Sequence, residues 1–120
     1  MRSRAALLSR SLASILLTLI SAPETAGGRQ ALALAESLAA EGHRLTVCCL
    51  QDAIILGSNR APGDARAVLD RLLDRGARCL VLLDDLVLRG LVAGERAVTV
   101  DRAGIVAALT ADHDRVIGAF

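Results

Sequence analysis

A chain of 120 residues, 53% of them hydrophobic, has the length of one domain and enough apolar material to build its core. Its 14 arginines and 13 acidic residues give a net charge of +1 and are mixed along the chain, so no long-range field selects nucleic acid or an anionic membrane. Lysine is absent, which excludes lysine-dependent chemistry, and with Phe120 as the single aromatic residue, stacking of a flavin or a base on aromatic side chains is not expected.

The first segment, residues 1–22, has a basic start followed by apolar residues and superficially resembles a secretory signal. Arg10 interrupts it, and cleavage near Ser21 or Ala22 would remove residues 15–20, which read as the first strand. The expectation is a disordered extension over residues 1–12, a single domain over 13–120, and a cytoplasmic protein. No uncharged apolar run is long enough to span a membrane.

Residues 14–20 form a short apolar run ending at Ser21-Ala22-Pro23, as a strand buried on both faces does. Thr25 leads into a helix over 26–41, where Ala31, Leu32, Ala35, Leu38 and Ala39 recur at helical spacing and Gly42 supplies the stop. A second strand follows over 44–50, with Asp52 expected to cap an apolar turn over 53–56. Residues 57–63 are rich in turn formers. Asp64 is expected to cap a helix over 65–75 that Gly76 ends, and residues 79–83 are the third strand. A helical turn through Leu88, a strand over 97–100, a helix over 101–110 and a strand over 115–119 complete the chain.

Strands alternating with helices predict an α/β fold: a three-layer, flavodoxin-like domain with a five-stranded, mainly parallel sheet whose ligand edge lies at the carboxyl ends of the strands. Three loops, 21–28, 51–63 and 84–94, converge on that edge, and the segment from Cys79 to Gly90 closes what reads as the central strand.

The first loop lacks both the lysine of a phosphate-binding loop and the glycine spacing of a dinucleotide fingerprint, and is read as an ordinary helix start. Asp84-Asp85 invites comparison with a magnesium-binding receiver domain, but the chain has no acidic pair after strand one and no lysine near strand five. No metal site and no cofactor is expected. Cys48, Cys49 and Cys79 lack the spacing of a disulfide framework or a zinc site. Cys48 and Cys49 alternate across a strand, and all three read as buried thiols, with Cys79 the weak candidate for a nucleophile. His43 and His113 read as solvated turn residues, so no Ser/His/Asp constellation forms.

With these pieces in place, the chain resembles the DsrE/TusD family of small sulfur-relay proteins, through Pro23-Glu24, Glu41-Gly42-His43 before Leu45-Thr46-Val47, Asp52-Ala53-Ile54, the Gly76–Leu83 strand, Arg89-Gly90, and Ala111-Asp112 before Val116-Ile117. In active members of that family a cysteine eight residues before the glycine of Arg-Gly carries persulfide sulfur. Here that position is Leu82, which supplies no thiolate.

The resemblance therefore implies a non-catalytic subunit or regulator associated with intracellular sulfur transfer. It would assemble as a homo-oligomer, a hexamer in the family's manner, or with related sulfur-relay subunits. Asp84, Asp85, Arg89 and Gly90 are the ligand or interface candidates, flanked by the apolar Leu86-Val87-Leu88 and Leu91-Val92. Two alternatives stand beside this reading: a persulfide carrier using Cys79, and a small-anion or nucleotide sensor anchored by Arg89.

Overall fold

The computed structural model describes residues 12–111, 113–118 and 120. The expected extension therefore lies, but for Leu12, outside the described residues. The elements in order are β1 (Ser14–Leu19), α1 (Ala26–Ala40), β2 (Arg44–Cys49), a 3-10 helix (Gln51–Gly57), α2 (Gly63–Asp74), β3 (Arg78–Leu82), α3 (Leu83–Leu88), β4 (Val98–Val100), α4 (Arg102–Thr110) and β5 (Arg115–Ile117).

All five strands pair in parallel, in the order β4-β3-β2-β1-β5. Parallel strands need crossovers, which the helices supply, and a sheet covered on both sides needs strands apolar at every position. Residues 15–19 of β1 and 45–49 of β2 are accordingly all buried. The central strand is β2; β3 stands one place in from the edge, a correction to the sequence reading, since apolar periodicity carries no information about strand order.

Side chains alternate between two cores. Ile15, Leu17, Leu19, Leu45, Val47, Cys49, Cys79 and Val81 face Ala31, Leu32, Ala35, Leu69 and Leu72 of α1 and α2. On the opposite face Leu16, Cys48 and Leu80 meet Ile105 and Ala108 of α4, with the partly buried Leu50, Leu82 and Val100 packed around them.

Both long helices end on glycines in the left-handed region, Gly42 (φ 94°) and Gly76 (φ 95°). The next residue's N–H folds back in each case, His43 to Leu38 O at 3.2 Å and Ala77 to Leu72 O at 3.1 Å. Thr25, which leads into α1, caps it, its Oγ1 accepting from Gly28 N at 3.1 Å. The acidic caps expected at Asp52 and Asp64 do not form. Leu50 precedes the 3-10 helix with no side-chain cap, and Asp64 lies within the first turn of α2, behind Pro62 at the cap position, where its Oδ1 accepts only from the adjacent Ala65 N. Leu83, expected in β3, instead opens α3, and β5 stops at Ile117. Among the described residues no helix is long and apolar enough to cross a membrane.

Candidate functional site

The carboxyl end of β3 runs directly into α3. Leu82 occupies the cap position with extended backbone and packs, half-buried, against the smaller core together with Leu50 and Val100. Cys79, three positions earlier, is wholly buried in the larger core. The two residues therefore sit on opposite faces of the sheet, and no thiol stands where the strand ends.

The polar residues of this segment are engaged with one another. Asp85 Oδ2 accepts the backbone N–H of Gln51 at 2.7 Å, holding a non-glycine residue at φ 51° where the chain leaves β2. The Arg89 guanidinium lies 3.5 Å from Asp85 Oδ1 and 3.3 Å from Asp52 Oδ1. It spans from α3 to the 3-10 helix. Asp84 points elsewhere, to Arg102 Nε at 3.1 Å on α4. Gly90, at φ 63°, terminates α3, with Gly90 N donating to Val87 O and Leu91 N to Leu86 O. Arg89-Gly90 thus ends one helix and ties it to the neighbouring turn, and the guanidinium already faces two carboxylates. Among the described residues no three His, Cys, Asp or Glu side chains gather as a metal-ligand set.

The apolar residues flanking this segment divide. Leu86 is buried and anchors α3, whereas Leu83, Val87, Leu88 and Val92 are exposed, Leu88 to 78%. This is an unusually apolar surface for a six-residue helix.

Two of the three predicted loops do meet. Asn59 N donates to Val92 O at 2.9 Å and Gly94 N to Gly57 O at 2.8 Å, with an isolated antiparallel bridge between Ser58 and Ala93. The loop over 21–28 is bound up separately, since Ile20 N and Ser21 N both donate to Phe120 O and the Thr25 hydroxyl donates to Ala22 O. The joined loops and α2 enclose a groove of about 720 Å³, floored by Leu56, Gly57 and Leu69. Arg96 crosses it to Asp74 at 2.9 Å and Asp70 at 3.6 Å. This groove was not legible in the sequence, because it depends on how residues 93–97 return beside α2.

All three cysteines are buried and free. Burial, with Cys79 nearby, pushes the Cys48 thiol up to about 12. The Cys49 thiol is held well above its ordinary range by its hydrogen bond to Cys79, and then by burial. Cys49 Sγ and Cys79 Sγ are 4.0 Å apart on the face away from Cys48.

The histidines are not the solvated turn residues expected. His113 Nδ1 lies 3.0 Å from Ala108 O and Nε2 2.9 Å from Thr46 Oγ1. A carbonyl only accepts, so Nδ1 carries the proton and Nε2 accepts from the threonine, pinning the end of α4 to β2. His43 Nδ1 accepts from Ala13 N at 3.0 Å, which leaves Nε2 to donate to Glu41. The hydroxyl that His113 meets belongs to Thr46, which is buried in β2 and closed to a substrate.

No protein-family model and no curated protein matches the chain. Among solved structures it is similar to the crystal structure of the ychN protein from E. coli, at 17% identity and a TM-score of 0.66, over 88% of this chain and 97% of that one. The likeness establishes the fold: an α/β domain with a five-stranded, all-parallel sheet and flanking helices, the flavodoxin-like arrangement of DsrE proteins.

Proposed function

We propose that the protein is a non-catalytic, oligomeric DsrE-like subunit or regulator associated with sulfur transfer in the cytoplasm. The observation that carries this reading is the chemistry at the end of β3. Leu82 ends β3 at the position where the family resemblance would put a relay thiol, and each of the three thiols is at most 1% exposed. A sulfur acceptor must present a thiolate to its donor, and burial favours the neutral thiol. Asp84, Asp85, Arg89 and Gly90 then serve the shape of the surface. They fix α3 so that Leu83, Val87, Leu88 and Val92 project together, as the contact of a subunit does.

Intact-mass measurement after incubation with a persulfide donor tests this. No stable addition of sulfur is expected on the native protein, and thiol alkylation is expected only after denaturation. Addition of one sulfur that is lost in Cys79→Ser would replace this reading with that of a carrier. In light scattering the native chain is expected to run as an oligomer, and Leu88→Glu to shift it toward monomer.

A further inference from the structure

We infer that Cys49 and Cys79 form a two-coordinate site for a soft monovalent ion of the copper(I) class. Their register excludes the commoner fates of paired cysteines. Cys79 stands opposite Val47 and Cys49 opposite Val81, so the pair is two residues out of step along the strands. A disulfide requires the sulfurs at about 2.05 Å, against the 4.0 Å observed, and this offset on a fixed sheet does not let them close. Zinc requires four ligands, and no third His, Cys, Asp or Glu joins the pair among the described residues.

A soft ion held between two sulfurs has different needs. With metal–sulfur bonds of about 2.3 Å on opposite sides of the ion, the sulfurs stand about 4.6 Å apart. From 4.0 Å, each sulfur moves by about 0.3 Å. Binding releases both thiol protons to solvent, forms two sulfur–metal bonds and transfers no electron, leaving a bis-thiolate complex with one negative charge. The backbone of Gly57 packs against both sulfurs.

Gly57 closes the site on the side of the 3-10 helix. A side chain there would clash with Val81 Cγ1 and begin 3.2 Å from Cys79 Sγ and 3.8 Å from Cys49 Sγ, so the bare backbone of this residue packs against the pair and Val81. The same residue floors the 720 Å³ groove on its other side. Both sulfurs are wholly buried, so the ion enters through a local opening of the fold. The inference is independent of the sulfur-transfer reading, and loading with persulfide does not bear on it.

The test is anaerobic titration of the reduced, full-length protein with copper(I) against a chromophoric chelator. One equivalent per chain is expected, with a thiolate-to-metal absorption band in the ultraviolet. Cys49→Ser and Cys79→Ser are each expected to weaken binding at least 100-fold, while Cys48→Ser, on the other face, retains it. Failure of the native protein to compete for the ion, or equal loss in Cys48→Ser, would overturn the site. Thermal unfolding of the unmutated protein with silver(I) decides the matter should a variant misfold. A raised midpoint supports a site in the folded state, and a lowered one shows that the ion prefers unfolded thiols and removes the proposal.

Discussion

The two faces of the sheet are built to different standards. On one, α1 and α2, of 15 and 12 residues, cover β1 to β3 and close a core that includes Leu17, Val47, Val81 and the Cys49–Cys79 pair. On the other, the nine residues of α4 cover Leu16, Cys48 and Leu80, and Val98, Val106, Leu109 and Val116 remain exposed. The thin face also takes the polar residues. Thr46 lies there, satisfied by His113, and so does Thr18, whose buried hydroxyl has no partner among the described residues. Stability resides in the thick face, and the thin one depends on a few fastenings.

The largest expected effect separates the faces directly. Leu17→Ala, in the thick core, should cost about 4 kcal/mol in urea unfolding, and Ile105→Ala, under the thin cover, about 2 kcal/mol. Equal losses would mean that the faces are equally packed.

Alkaline unfolding gives the next effect. Cys48 has its pKa raised from 9.0 to about 12 in the folded state, so between those values the unfolded chain releases a proton that the folded one keeps. Stability contributed by this thiol is intact below pH 9 and falls above it, by about 1.4 kcal/mol per pH unit. Cys48→Ala should flatten the measured slope by that amount, and an unchanged slope would place the alkaline loss in the thick core.

Asp101 caps α4 by accepting from Gly104 N at 2.8 Å. Asp101→Ala should lower stability by about 1 kcal/mol and raise amide exchange in α4 ahead of α1. Smallest of all, Arg89→Gln loosens only two partly exposed ion pairs, to Asp52 and Asp85, and should cost under about 1 kcal/mol. A larger cost would show that the joint between α3 and the 3-10 helix supports the core.

The thick face was also the legible one. Residues 14–20 and 44–50 announce strands buried on both sides, and Gly42 and Gly76 mark helix ends that the structure places at positive φ. Thr25 works as a cap because its hydroxyl reaches Gly28 N, while Asp52 fails because the chain leaves β2 through Gln51 at positive φ and turns as a 3-10 helix. What escaped the sequence is what contacts across distance decide. His113 meets Thr46 from 67 positions away, and Arg89 meets Asp52 from 37. The alternation of Cys48 and Cys49 gave their opposite faces, but the nearness of Cys49 to Cys79 follows from strand register, which no local pattern encodes.

The strand order has a kinetic consequence. β1 pairs with β2 across a single helix, yet it must also receive β5, where Ile15 stands opposite Arg115. That seam joins segments separated by nearly the whole chain and rests on three residue pairs, so the entropy of closing it is spent late and returns little. Folding should proceed from β1 through β3 as one growing layer, with the addition of β5 as the last and most reversible step.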